Sequence, residues 1–309
     1  MSLRGRDLLT LQELSRRELE YVFELTKELR ARSAVGDLPN ILSGKSVAMI
    51  FQRPSTRTRV SFEVAIRQLG GHPIYLSWGD LQLARGETIA DTAKVLSRYV
   101  NAIVARVSRH SDLEEFAREA SIPVINALSD RFHPCQVVAD LFTILEHKGY
   151  LDGLKLAYVG DGTNVCNTLL IGCTKVGMDI SVACPKGYEP DPQAIKWAEA
   201  NAEETGATIE IVRDPIRAVE GADVVYTDTF VSMGVEAERE KRLKVFLPKY
   251  QVSLELMSKA SPDAIFMHCL PAHRGEEVTK EVIDGPMSVV FDQAENRLHT
   301  QRALLALIV

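Results

Sequence analysis

Short apolar runs rich in β-branched residues recur along this chain, each followed by a stretch whose apolar residues return at helical spacing. Four such runs, Ser46–Phe51, Pro73–Ser77, Ala102–Val107 and Pro123–Ala127, alternate with helical patterns over 56–69, 88–99 and 111–119. A strand covered on both faces reads as a nearly continuous apolar run, and strands separated by helices pair side by side in parallel. A longer helical pattern from Cys135 to Lys148 ends at Gly149, and the alternation then restarts with Leu154–Val159, Ile180–Ala183, Thr208–Val212, Val224–Thr227, Ile265–Met267 and Val289–Phe291. The pattern predicts an α/β protein of two domains, each a parallel sheet flanked by helices: residues 1–148, residues 149–291, and a C-terminal segment 292–309 carrying a helix over Ala294–Ile308. A length of 309 residues agrees, because single cores stop growing near ~250 to 300 residues. Residues 11–33 carry leucines and aromatics at helical spacing among charges, which predicts one amphipathic helix covering a sheet. No low-complexity linker separates the halves, so a shared helix and an interdomain cleft are expected, with the active site in that cleft.

Charge and cysteine usage narrow the function. The net charge of −6 opposes a nucleic-acid partner or an anionic membrane surface, so an anionic ligand has to be held by locally clustered arginines. No apolar run approaches the ~20 residues of a membrane span, and a cytoplasmic location without a membrane partner is expected. Cys135, Cys166, Cys173, Cys184 and Cys269 form no C-x-x-C pair and are odd in number, which argues for reduced thiols rather than a disulfide framework. His268, Cys269 and His273 are close in sequence, but their spacing matches no standard metal site, and no metal is expected.

The run Ser46–Phe51 leads into Gln52-Arg53-Pro54-Ser55-Thr56-Arg57-Thr58-Arg59, and a helical pattern follows until Gly70-Gly71. Ser55 stands at the helix N-cap, so the next main-chain N–H groups point outward at the positive end of the helix, a ready site for phosphate. Hydroxyls of Ser55, Thr56 and Thr58 add donors, and the Arg57 guanidinium grips two anionic oxygens at once. The competing reading is a surface helix start with solvated arginines. His133-Pro134-Cys135-Gln136 follows the fourth strand and opens the long helix, at the carboxyl edge where parallel sheets collect ligands. An imidazole there can donate to a carbonyl oxygen that becomes anionic, and a glutamine amide offers both a donor and an acceptor; a local turn is the alternative.

Three further segments follow second-half strands. Gly160-Asp161-Gly162-Thr163-Asn164-Val165 suggests a dinucleotide-binding turn and an NAD-dependent oxidoreductase, but Val165 stands where the third small residue belongs. Thr227-Asp228-Thr229-Phe230-Val231-Ser232-Met233-Gly234 offers an anion at Asp228 to a substrate ammonium, or alternatively an N-cap. His268-Cys269-Leu270-Pro271 places a thiol at a strand's carboxyl end, where an inert buried cysteine is the alternative.

The string Ser55-Thr56-Arg57-Thr58-Arg59 resembles the carbamoyl-phosphate signature of the aspartate and ornithine carbamoyltransferase family. H-P-x-Q at His133 also resembles a motif of the family, and D-x-x-x-S-M-G at Asp228 and H-C-L-P at His268 resemble its ornithine branch, in order and over nearly the whole chain. Arg53 departs from the pattern, where relatives commonly carry lysine, with the charge kept. The resemblance implies carbamoyl transfer from carbamoyl phosphate to the δ-amine of L-ornithine, giving L-citrulline and phosphate in arginine biosynthesis or arginine/citrulline metabolism, with no metal or cofactor. It implies carbamoyl-phosphate contacts from Ser55, Thr56, Arg57, Thr58, Arg106, His133, Pro134, Cys135, Gln136, Cys269, Leu270 and Arg297. Of these, it implies catalytic roles for Arg57, Arg106, His133 and Cys269, and it implies ornithine contacts from Asn164, Asp228, Ser232 and Met233. The C-terminal helix is expected to pack on the first domain. Gln82, in the polar loop Gly79–Glu87, is expected to reach the neighbouring site of a homotrimer or an assembly of trimers.

Overall fold

A computed structural model describes residues 3–232 and 234–309. The chain divides into two units: residues up to Ala139 together with Glu295–Val309, and Asp140–Ala294. The division falls inside the long helix, before the Lys148 boundary expected from sequence.

In the first unit, α1 (Arg16–Ala34), β1 (Ser46–Phe51), α2 (Thr56–Gln68), β2 (His72–Ser77), α3 (Ile89–Leu96), β3 (Ala102–Arg106), α4 (His110–Glu119) and β4 (Val124–Leu128) lead to the start of α5 (Pro134–Lys148). The sheet order is β2-β1-β3-β4 and all pairs are parallel. Five of six β1 residues and all of β3 are buried, which is why both read as unbroken apolar runs. Leu8 bridges Ile125 in parallel and exchanges main-chain hydrogen bonds with Val124 and Asn126, so the β4 edge is covered by the chain's own N-terminal segment. The expected helix over 11–33 is broken. Thr10 and Glu13 form one capping box around a short 3₁₀ turn at Leu11–Glu13, and Ser15 and Glu18 form a second that starts α1.

The second unit runs β5 (Lys155–Val159), α6 (Asn164–Lys175), β6 (Asp179–Ala183), α7 (Pro192–Thr205), β7 (Ile209–Val212), α8 (Pro215–Val219), β8 (Val224–Thr227), α9 (Arg239–Phe246), α10 (Leu254–Met257), β9 (Ile265–His268), α11 (Lys280–Ile283) and into α12 (Val290–Ile308). Its sheet order is β7-β6-β5-β8-β9, again entirely parallel. Its core gathers Val159, Val225, Phe230, Phe246, Phe266 and Val282. The strand expected at Val289–Phe291 is absent. Ser288 makes only an isolated bridge with Phe266, and the Gln293 N–H donating to the Val289 carbonyl already begins α12. Three apolar residues in a row cannot by themselves distinguish a strand from the first turn of a buried helix.

Gly162 in the β5–α6 turn is held tightly by neighbouring backbone. A Cβ there would lie 2.4 Å from the Pro190 nitrogen and 2.5 Å from the Glu189 carbonyl carbon, so the chain's own backbone fills that side of the turn. Gly162→Ala is therefore expected to force a main-chain shift and destabilise the protein by about 1–3 kcal/mol, read as a lower urea midpoint at unchanged slope. An unchanged midpoint would mean that the Glu189–Pro190 segment yields freely.

Candidate active site

Strand order fixes where the chemistry collects. In the first sheet β2 lies on one side of β1 and β3 on the other, so the loops after β1 and β3 part at a topological switch point. There Phe51 pairs with Arg106, and the Gln52 N–H donates to the Arg106 carbonyl at 2.9 Å. The Gln52 side-chain oxygen accepts from the Ser108 N–H at 2.6 Å and ties the two loops together. Ser55 caps α2 by accepting from the Thr58 N–H, leaving Thr56 and the partly exposed Arg57 on the first turn. Arg297 donates to the Gln136 side-chain oxygen and, at 3.3 Å, to the Thr58 hydroxyl. With the Gln301 amide turned to satisfy its neighbours, its oxygen also accepts from Arg297 at 3.0 Å. This buried guanidinium is therefore fixed in orientation.

His133 is held by its flanks. The Phe132 carbonyl accepts from the Asn126 amide at 3.2 Å and from the Ser129 N–H at 3.0 Å, while the Cys135 thiol donates to the Asn126 carbonyl at 3.4 Å. Burial, reinforced by the charges of Arg297 and Arg106, pushes the His133 imidazolium well below its usual pKa. The ring is thus a neutral donor near physiological pH. Burial pushes the Cys135 thiol up to about 12, and that thiol is turned to the Asn126 carbonyl. Gln82 is exposed on a short 3₁₀ turn, Gln82–Arg85.

The second sheet repeats the arrangement. β6 and β8 flank β5, and Val159 pairs with Thr227, which pairs with His268, so three strand ends lie side by side. Asn164 opens α6 directly after the Gly160–Thr163 turn. Asp228 is almost completely buried; its Oδ1 accepts from the Thr229 N–H at 2.7 Å and from the Cys269 thiol at 3.1 Å. Burial raises the Asp228 pKa, opposed by His268, the Cys269 thiol and the Thr229 N–H. A cation placed beside this carboxylate would stabilise its ionised form. Ser232 is half-buried, and Met233 lies outside the described residues.

The Leu270 N–H donates to His268 Nδ1 at 2.8 Å, which leaves Nε2 to carry the proton toward Glu277 Oε1 at 3.3 Å. Burial would raise the Glu277 carboxyl, but hydrogen bonds from the His268 ring and the His273 N–H hold it below its ordinary value. Leu270 adopts φ +57°, a left-handed conformation uncommon for a non-glycine residue, which sets the direction of its carbonyl. Asp228, His268 and Cys269 lie close enough to suggest a metal site, as do His273, Glu276 and Glu277. In the first set both His268 nitrogens are already engaged. In the second, Glu276 is paired with Arg239, and Glu277 Oε1 accepts from His268 and His273.

Several supporting residues escaped the sequence reading. Buried Arg242 on α9 pairs with Asp161 and donates to the Phe230 carbonyl at 2.6 Å, so it ties the β5–α6 turn to the loop after β8. Glu277 sits in an ordinary acidic pair, Glu276-Glu277, and Gln293 stands beside the expected Arg297.

A family model described as aspartate/ornithine carbamoyltransferase, carbamoyl-P binding domain, matches residues 6–146, and the Asp/Orn binding domain of the same family matches residues 152–308. The chain is 59% identical over 309 residues to an ornithine carbamoyltransferase of Thermococcus kodakarensis, covering 100% of this chain and 98% of that one. It is 58% identical to a Pyrococcus furiosus ornithine carbamoyltransferase designated anabolic, with the same coverage. The solved structure of ornithine carbamoyltransferase from Pyrococcus furiosus superposes with a TM-score of 0.96 at 58% identity, over 100% of this chain and 98% of that one.

The neutral imidazole has a pH consequence. Below the ordinary histidine value near 6.5 the unfolded chain binds a proton at His133 that the folded chain does not, so acidification through that range costs stability. One proton corresponds to a slope of up to about 1.4 kcal/mol per pH unit. His133→Gln should remove that share, flattening the stability profile between pH 6.5 and 5 in denaturant titrations. Superimposable profiles would mean that His133 is protonated in the folded protein.

Proposed function

The chain belongs to the aspartate/ornithine carbamoyltransferase family, and we infer that it transfers the carbamoyl group of carbamoyl phosphate to the δ-amine of L-ornithine, releasing L-citrulline and phosphate. It is a carbamoyltransferase of the ornithine type, and the anabolic designation of a close relative supports arginine biosynthesis. The observation that carries the choice of amine substrate is Asp228, a buried carboxylate at the β5/β8 switch point, with Cys269 beside it. Such a site suits an ammonium-bearing side chain and repels the second carboxylate of aspartate.

The residue types fit the chemistry. An alkyl ammonium near pKa ~10.4 is deprotonated in only about one molecule in a thousand near pH 7.4, a cost of ~4 kcal/mol before attack. In this reading the amine nitrogen attacks the carbamoyl carbon, the carbonyl oxygen becomes anionic, and the bond to the phosphate oxygen then breaks. Arg57, Arg106 and Arg297 stabilise that oxyanion, with the Thr58 hydroxyl and neutral His133 as further donors. Ser55, Thr56, Arg57 and the α2 N-terminus hold the departing phosphate, which takes up the amine proton. Gln136, the Leu270 carbonyl and the main chain at Pro134 and Cys135 hold the carbamoyl group. Asn164, Ser232 and Met233 read the amino-acid end of ornithine, Asp228 reads a substrate ammonium, and the Cys269 thiol lies beside the reacting amine. The proposal includes a cytoplasmic location. No helix among the described residues is long and apolar enough to cross a membrane. It also includes a homotrimer, or a larger assembly of trimers, in which exposed Gln82 serves a neighbour's site.

Two experiments test this. Citrulline formation compared with ornithine, putrescine and aspartate should favour ornithine, and Asp228→Asn should raise the ornithine requirement at least tenfold while calorimetric binding of a carbamoyl-phosphate phosphonate analogue stays within about twofold. Equal loss of both would make Asp228 a structural residue. For the assembly, inactive Arg57→Gly and Gln82→Ala chains, dissociated and reassociated one to one, should recover about one quarter of the sites if the contact runs around a ring. Hybrids confirmed by native mass spectrometry without any gain would place Gln82 in its own chain's site.

A further inference from the structure

Gln293 lies on α12 and its side chain is completely buried. Every hydrogen-bonding group of its amide is engaged. The oxygen accepts from the main-chain N–H of His268 at 2.9 Å, and the nitrogen donates to Asp140 Oδ1 at 2.7 Å and to the Tyr226 hydroxyl at 3.0 Å. The Tyr226 hydroxyl donates in turn to Asp140 Oδ2 at 3.0 Å, which closes the network. Its place in the sheet explains why an amide is needed. β9 is the edge strand, and residues 287–289 pair with it only at Phe266, through Met287 and Val289. The chain then turns into α12, and the Gln293 oxygen substitutes for a missing partner strand at His268, the next N–H on that side of the ladder. Only a group that is donor and acceptor at once satisfies both an N–H and a carboxylate there.

We propose that Gln293, backed by Asp140 and Tyr226, is a positioning residue for carbamoyl transfer. It fixes the main chain of His268, and through it the Cys269 thiol and the Leu270 carbonyl, against Asp228, which stands two residues beyond Tyr226. This rests on the reading of Cys269, Leu270 and Asp228 given above. A carboxylate at 293 would face Asp140, and two like charges in an apolar interior share a proton rather than both ionise. Losing the amide's donor bonds to Asp140 and Tyr226 also unfixes the side chain whose oxygen holds the His268 N–H, and a displacement of about 1 Å at reacting groups costs on the order of 10²-fold in rate.

The test compares Gln293→Glu, Asp140→Asn and the double exchange, which restores one amide and one carboxylate in reversed order. Gln293→Glu should lower kcat/KM for ornithine by about 10- to 100-fold, shift the pH–rate profile toward acid, and leave phosphonate-analogue affinity within about twofold. The double variant should recover at least tenfold over Gln293→Glu. A purely structural role would lower Tm without moving the pH profile or being rescued by the exchange. Alkylation of half-buried Cys269 by iodoacetamide, followed by peptide mass spectrometry, gives a second readout that does not depend on turnover. Its rate should change in Gln293→Glu and return in the double variant. Wild-type kinetics, pH profile and alkylation in Gln293→Glu would overturn the proposal, as would a folded double variant no better than Gln293→Glu. If Gln293→Glu does not fold, a double variant that folds with normal ornithine kinetics upholds the proposal, and one that folds but stays impaired overturns it. Wild-type protein that makes no citrulline would instead refute the functional reading, while the alkylation series still decides whether Gln293 sets the position of Cys269.

Discussion

Parallel pairing obliges each strand to be followed by a crossover before the chain can pair again, so every strand opens into a loop at the same edge of its sheet. Where successive crossovers go to opposite faces, neighbouring loops part and leave room. Both sheets use that room. In one, the end of β1 pairs with β3 at Arg106, just before the chain reaches the Ser55 cap; in the other, the ends of β5, β8 and β9 align Gly160, Asp228 and Cys269. The residues that carry chemistry are scattered through the sequence because the strands are, and they converge because the strands are parallel.

The two ligand sets differ in how they treat buried charge. Arg297 and Arg106 are buried beside an imidazole that is kept neutral, an arrangement that costs solvation and that the proposed anionic ligand would balance. Asp228 is the reverse case, a buried carboxylate whose ionised form is favoured when a cation arrives. In the proposed reaction each set would therefore select its ligand by sign before any detailed contact is made. Donors fixed in advance, as Arg297 is by Gln136, Thr58 and Gln301, need no reorganisation when charge develops.

Most of this was legible in the sequence wherever the cause was local. Strands buried on both faces show themselves as apolar runs, and the Ser55 cap and the His133-Pro134 helix start are signalled by neighbouring residues. What was lost depended on partners far along the chain. Gln293 meets Asp140 across 153 residues, and Arg242 meets Asp161 across 81, with nothing near either position to announce the pairing. The Val289–Phe291 error arose similarly, since only the contact with β9 shows that this run is spent after one bridge. The broken 11–33 helix was readable in principle, because both capping boxes are written in residues three apart.

Leu270 illustrates a different economy. Its left-handed backbone costs on the order of 1 kcal/mol relative to a relaxed conformation and persists because the His268 ring holds its N–H. A glycine would relieve the strain, yet it would also free the carbonyl to swing and remove the side chain that packs against the second unit's core. If the Leu270 carbonyl holds the carbamoyl group as proposed, relief of strain and aim of that carbonyl pull this position in opposite directions. A lineage adapting to higher temperature gains stability more safely at sites remote from the ends of β8 and β9 than by relaxing the residue that aims the carbonyl.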